Sequence, residues 1–171
     1  MHLSIVTGAS KGLGEAIVKG LLEKGHLVHA VSRSKSGIRH DRLSQHEVDL
    51  TQLAEAEMWF ARFTDAVQPA DVDSITLINN AGMVTPIKRA GEAGREELRR
   101  HYDLNLLAPV ILSQLFAKWL KSFQGNKTIV NISSGAAKIL IKAGAPIAAQ
   151  KQGLTCLRKH SASNRKTRTF R

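Results

Sequence analysis

Thr7-Gly8-Ala9-Ser10-Lys11-Gly12-Leu13-Gly14 closes a short β-branched run, Leu3 to Thr7, and opens an amphipathic stretch, Leu13 to Lys24. Glycine has no Cβ to keep a pyrophosphate at a distance, and a helix N-terminus offers free N–H groups and the positive end of its dipole. The segment therefore reads as a dinucleotide-binding turn between a strand and a helix. Its spacing, Gly8-x-x-x-Gly12-x-Gly14, differs from G-x-G-x-x-G and lacks the Gly-Lys-Ser/Thr ending of a P-loop. That speaks against a kinase or ATPase. An ordinary glycine turn is the alternative, and the strand before it and the helix after it weigh against that.

Outward from this turn, short β-branched runs alternate with longer amphipathic ones. The pattern predicts an α/β fold, a Rossmann-like doubly wound parallel sheet that is incomplete at about five strands. Strands are expected at Leu3 to Thr7, Leu27 to Ser32, His46 to Asp49, Ser74 to Asn79 and Thr128 to Ser133. Helices are expected at Leu13 to Lys24, Gln52 to Val67 and Arg95 to Ser122, the last with Leu98, Tyr102, Leu106, Pro109 and Leu112 or Ser113 along one face and a kink at Pro109. In such sheets ligands bind at the carboxyl ends of the strands, where the strand order reverses. The remaining motifs follow strands, as that rule requires.

Ser32-Arg33 ends the second strand, where an acidic residue would suit a ribose 2′-hydroxyl; Arg33, helped by Lys11, suits a 2′-phosphate instead, unless both are simply solvated cations. Asp49-Leu50 follows the third strand, and Asp49 also fits an N-cap for the helix near Gln52. Asn79-Asn80-Ala81-Gly82 follows the fourth: its small residues let backbone approach closely, and its amides can pin neighbouring strands. Asn105 lies on the long helix, where an isolated Asn is commonly a surface residue or a polar contact. Ser133-Ser134 ends the fifth strand and reads equally as a loop start.

With these motifs in hand, the chain resembles the classical short-chain dehydrogenases/reductases. TGASKGLG is similar to their TGxxxGxG cofactor loop and Asn79–Gly82 matches their NNAG signature. The resemblance implies that NADPH/NADP is held by Gly8, Ser10, Lys11, Gly12, Leu13, Gly14, Ser32, Arg33, Asp49, Leu50, Asn80, Ala81 and Gly82, with Asp49-Leu50 capping the adenine. It implies that Ser134 and Asn105 are catalytic, the serine holding a substrate carbonyl as hydride arrives and the Asn ordering a water in a proton relay. A Tyr thirteen residues beyond the serine would donate the proton, its pKa lowered by a Lys four residues further. LINNAGMVTPIKRAGE and SSGAAK resemble most closely the bacterial benzil reductases of the sepiapterin-reductase-like branch, so a ketone or diketone substrate and a homo-oligomeric intact form are expected.

The pattern then breaks. Position 147 is Ile147, the chain's sole Tyr is Tyr102, and Lys151 stands at the expected Lys position. Codons for 138–171 can be chosen so that a one-base shift reads YCSTK, with Tyr in place of Ile147 and Lys at 151. The expectation is a frameshifted, truncated product, or a sequencing error, of an intact reductase, in which 1–137 is the NADP-binding domain and 138–171 an aberrant basic tail. This chain would then lack turnover, and its uncovered sheet edge would favour aggregation.

Composition fits that division. The net charge of +11 in 171 residues is uneven: residues 1–137 carry 16 basic and 14 acidic groups, and 138–171 carry nine basic and no acidic ones. A basic tail that binds nucleic acid is the competing reading, weakened by the lack of interleaved aromatics, with Phe170 alone. No stretch reaches the roughly 18 apolar residues of a membrane span, and neither a disulfide nor a metal is expected from the single Cys156. The start carries no signal-peptide pattern, so a cytoplasmic address is expected.

Overall fold

The computed structural model describes residues 1–89 and 91–133. The expected tail, with Ser134, Ile147 and Lys151, lies outside the described residues. The elements run β1 His2–Thr7, α1 Gly12–Glu23, β2 Leu27–Ser32, β3 Leu43–Glu47, α2 Leu53–Ala66, β4 Ser74–Asn79, α3 Arg95–Tyr102, α4 Ala108–Trp119 and β5 Asn126–Asn131. A short 3-10 turn, Pro69–Asp71, precedes β4, and a π-helical turn, Asp103–Leu107, joins α3 to α4.

All strand pairs are parallel, in the order β3-β2-β1-β4-β5. The chain winds outward from β1 to β3, then crosses back to place β4 on the other side of β1. The order thus reverses between β1 and β4, which puts a crevice over their carboxyl ends. β1 is buried on both faces, as a central parallel strand must be. Leu3 and Ile5 join Ile75 and Leu77 of β4 against Phe60 and Phe63 of α2 and Leu112 and Phe116 of α4. Val6, Val28, Ala30 and Ile78 face the other way, against Val18 and Leu22 of α1. The result is a three-layer sandwich, with α1 on one face of the sheet and α2 and α4 on the other.

Three expectations are corrected. β3 begins three residues earlier than its pattern suggests and stops before Asp49, because LSQHE on an edge strand carries no apolar alternation to mark it. β5 likewise begins at Asn126 and ends at Asn131, although the Ile132 N–H still bonds Asn79 O at 2.9 Å. The long helix is not continuous. Pro109 has no N–H, and its ring would clash with the carbonyl four residues back in a regular helix. The π turn widens the helix just before it, with the Ala108 N–H reaching Asp103 O five residues back, so that Pro109 falls in the first turn of α4. The widened turn also changes which side is buried. His101, Asn105, Ala108, Leu112 and Phe116 face inward, and Leu98, Tyr102 and Leu106 are half-exposed.

A histidine pair sits within the α2 face. His29 Nδ1 of β2 lies 3.0 Å from His46 Nε2 of β3, and the rings pack edge-on against Phe63 and Trp59 respectively. Burial, and then the neighbouring His46, push the His29 pKa down to about 4; burial also lowers that of His46. No helix among the described residues is long and apolar enough to cross a membrane.

Candidate functional site

Over the β1–β4 crevice two loops are laced together. Thr7, at the end of β1, is 2% exposed, and its Oγ1 accepts the N–H groups of Asn80 and Ala81, each at 3.0 Å, while donating to Ile78 O at 3.4 Å. In return Asn80 Nδ2 donates to Thr7 O at 3.0 Å and Gly8 O at 3.2 Å. The glycines make this approach possible. A Cβ on Gly8 would lie 2.7 Å from Ala81 Cα, and one on Gly14 would lie 2.1 Å from Gly8 O and 2.6 Å from Asn80 Nδ2. Intramolecular packing is therefore sufficient reason for Gly8 and Gly14. Gly12 differs: its φ is +59° and a Cβ there would meet nothing, so the handedness of the turn is what requires glycine.

The turn delivers the start of α1 to the crevice. Its N-cap residue, Lys11, is extended and makes no side-chain cap, which leaves the first-turn N–H groups without a side-chain acceptor. They open on a cleft of about 350 Å³ lined by Gly8, Ser10, Lys11, Leu13, Gly14, Ser32, Arg33, Asp49, Leu50, Asn80, Ala81 and Gly82, together with Ser34, Val48 and Leu104. Of the expected cofactor residues, Gly12 alone is missing from this lining. Ser34, Val48 and Leu104 were not anticipated, because nothing in their local sequence marks them.

Arg33 is exposed at the rim, and neither it nor Lys11 has an acidic partner among the described residues. Asp49 is not the N-cap of α2, a position held by Gln52. Its Oδ1 instead accepts the N–H of Thr51 at 3.0 Å and the Thr51 hydroxyl at 2.9 Å, folding the turn that delivers the buried Leu50 to the cleft. The Asp49 N–H donates to Glu55 Oε1 at 3.1 Å, tying that turn to α2.

The two asparagines of the fourth loop divide the work. Asn79 Nδ2 donates to Asn131 Oδ1 at 2.9 Å and to Ser113 Oγ at 3.2 Å, joining β4, β5 and α4, as its amide suggests. Asn80 holds β1, as described above. Asn105 is 2% exposed in the π turn and grips one residue of the following loop from both sides. Its Oδ1 accepts the Met83 N–H at 2.9 Å and its Nδ2 donates to Met83 O at 2.8 Å. A Cβ on Gly82 would stand 2.9 Å from Asn105 Oδ1, so this glycine is needed for the grip.

Beneath it lies a residue that sequence reasoning missed. His101 is fully buried, its Nδ1 donates to Thr85 O at 2.7 Å, and its ring lies within 3.3 Å of Asn105 Nδ2. Its setting in RRHYD looks solvent-facing, and the face assigned to a straight helix turned it outward. Thr7 was passed over as well, although a Thr opening the glycine turn could have signalled it.

A reversed parallel sheet with a glycine turn and an NNAG loop interlocked over the reversal defines a doubly wound, Rossmann-type protein. The chain belongs to the short chain dehydrogenase family, matching it over residues 3–169. It is 56% identical over 154 residues to the benzil reductase ((S)-benzoin forming) of Bacillus subtilis strain 168, covering 90% of this chain and 63% of that protein. It is 38% identical to the Bacillus cereus protein of the same name, covering 81% and 58%. The chain thus spans about 60% of the length of these curated relatives. Among solved structures it superposes on a short-chain dehydrogenase/reductase from Burkholderia vietnamiensis with a TM-score of 0.91 and 27% identity, covering 99% of this chain and 83% of that one. A 4-hydroxyisoleucine dehydrogenase complexed with NADH gives 0.83 and 27%, covering 95% and 67%.

Proposed function

We propose that this chain carries the nucleotide-binding half of an NADPH-dependent carbonyl reductase acting on diketones of the benzil type. The observation that supports this most is the single cleft that gathers the uncapped start of α1, Arg33 with Lys11, Asp49 with Leu50, and the NNAG loop. These residues fit a 2′-phosphorylated dinucleotide. The first turn of α1 would take the pyrophosphate by its N–H groups, Asp49 and Leu50 would border the adenine, and Asn80 to Gly82 would border the nicotinamide end. Arg33 and Lys11, which have no acidic partner among the described residues, supply two cations for the 2′-phosphate, and a planar guanidinium suits that group. When bound, the nicotinamide supplies the hydride. The printed names of the two Bacillus relatives support a diketone substrate.

For catalysis the reading assigns Ser134 to the substrate carbonyl and Asn105 to the proton relay. With Ile147 where the family pattern has Tyr, this chain has no group to protonate the product oxygen there. A second reading follows for the chain as it stands: it binds NADPH and does not turn over. The one-base shift that restores YCSTK supports an out-of-frame tail. NADPH binding, followed by its fluorescence, should be detectable, and NADPH oxidation with benzil should not. Turnover by this 171-residue chain would overturn the second reading, and failure of the in-frame version to reduce any diketone would overturn the first. Reading the DNA across codons 136–140 tests the shift directly.

A further inference from the structure

Gln45 lies on β3, outside the cleft lining, and has no part in the binding proposed above. Its amide ties down the loop between β2 and β3. Oε1 accepts the Ser36 N–H at 2.7 Å and the Ser36 hydroxyl at 3.0 Å; Nε2 donates to Ile38 O at 3.1 Å and Ser36 O at 3.4 Å. Ser36 Oγ in turn accepts the Ile38 N–H at 3.3 Å. Gln45 is itself fixed in the sheet, in register with Ala30 of β2. At the other end of the segment the Ser32 hydroxyl donates to Ser34 O at 2.8 Å. Between these two anchors stand Arg33 and Ser34, both lining the cleft, with the Arg33 guanidinium unpaired among the described residues.

We infer that Gln45 is a positioning residue that, through Ser36 and Ile38, holds the Arg33–Ser34 segment in the shape that distinguishes a 2′-phosphate from a 2′-hydroxyl. The inference rests on the reading of Arg33 as the 2′-phosphate group. A flexible loop carrying an exposed arginine must be ordered when it closes on an anion, and that ordering subtracts from affinity. A loop pinned in advance forfeits less. The clamp touches the segment that would meet the 2′-phosphate and leaves the glycine turn and the NNAG loop alone, so its loss should weaken 2′-phosphorylated ligands selectively.

The test titrates the full chain with 2′,5′-ADP and with 5′-AMP by calorimetry. The two probes differ at the 2′-phosphate, and neither needs a nicotinamide pocket. Gln45→Leu should weaken 2′,5′-ADP about tenfold, about 1.4 kcal/mol, and 5′-AMP less than twofold. Ser36→Ala, which removes part of the clamp, should show roughly a threefold loss with the same selectivity. Equal weakening of both probes in Gln45→Leu would reduce the residue to a general structural role and overturn the proposal, as would an unchanged ratio. Arg33→Ala separates the two levels: if it abolishes the preference while Gln45→Leu leaves it intact, the clamp is wrong and Arg33 stands. If Arg33→Ala leaves the preference intact, or the native chain shows none, the reading of Arg33 fails and the clamp with it. Should Gln45→Leu lose its native circular dichroism, Ser36→Ala decides, and an unselective effect there overturns the proposal.

Discussion

Replacing Thr7 with Val keeps the volume and shape of the side chain and removes one oxygen. In the native chain that oxygen accepts two backbone N–H groups at 3.0 Å, from Asn80 and Ala81, in a side chain that is 2% exposed. Each buried N–H that loses its acceptor costs about 1–3 kcal/mol. Asn80 and Ala81 are half-buried at the edge of the cleft, so water can reach part of this pair and the sum falls near the low end, about 2 kcal/mol. The added methyl returns roughly 0.5 kcal/mol of burial. The net loss is therefore about 1.5 kcal/mol, which at a urea m-value of about 2 kcal/mol/M lowers the unfolding midpoint by roughly 0.8 M. Thr7→Ser also costs about 1 kcal/mol, through the lost methyl, so stability alone does not separate the two causes. Amide hydrogen exchange does. The Asn80 and Ala81 amides should lose protection in Thr7→Val and keep it in Thr7→Ser. Equal protection of both amides in Thr7→Val and the native chain would refute the claim that Thr7 laces the two loops.

Gly14→Ala should be far worse than Gly12→Ala: the first drives a Cβ to 2.1 Å from Gly8 O and should cost more than about 3 kcal/mol and abolish the NADPH binding proposed above, whereas the second meets open space and costs about 1 kcal/mol of backbone strain. Thermal melts and NADPH titration of both variants check the contrast. Asn105→Ala frees the backbone N–H and C=O of Met83 and should lower stability by about 2 kcal/mol while making the segment after Gly82 the first site cut in limited proteolysis; an unchanged cleavage map would refute the grip. Acid should weaken the fold through His29. The folded pKa, about 4, lies below the unfolded value of 6.5, so the unfolded chain gains its proton first. Stability is thus complete above about pH 6.5 and falls towards pH 4, by up to about 3 kcal/mol. His29→Phe should flatten this slope in urea titrations across that range, leaving the smaller part due to His46.

Where the sequence writes its structure in apolar periodicity, the elements were legible. β2 and β4 are β-branched runs ending in Ser32 and Asn79, and their observed limits are those expected. Motifs with their own punctuation were legible too, since glycines and asparagines mark turns whatever surrounds them, and the glycine turn and the NNAG loop border one cleft, although Gly12 and Asn79 themselves do not line it. Features decided by tertiary context were not. β3 is held by its neighbour and has no apolar pattern of its own. Gln45 and His101 are polar side chains whose partners, Ser36 and Ile38 for one and Thr85 for the other, lie nine, seven and sixteen residues away. Such contacts follow from the path of the backbone, which no local pattern encodes.

The π turn at Asp103–Leu107 has a consequence for how the chain tolerates changes in length. A regular helix advances about 100° per residue, and the extra residue held in this turn is slack between α3 and α4. Deleting one residue there would remove the slack and close the turn to a regular helix, so that α4 keeps its phase with α3 and Leu112 and Phe116 stay in the core; the cost falls instead on Pro109, whose ring meets the carbonyl four residues back. A one-residue deletion inside α4 has no such slack: it would rotate the rest of that helix by about 100° and swing Phe116 out of the core, whereas an equal deletion in the exposed loop between Arg33 and Arg42 would act only on its own neighbourhood.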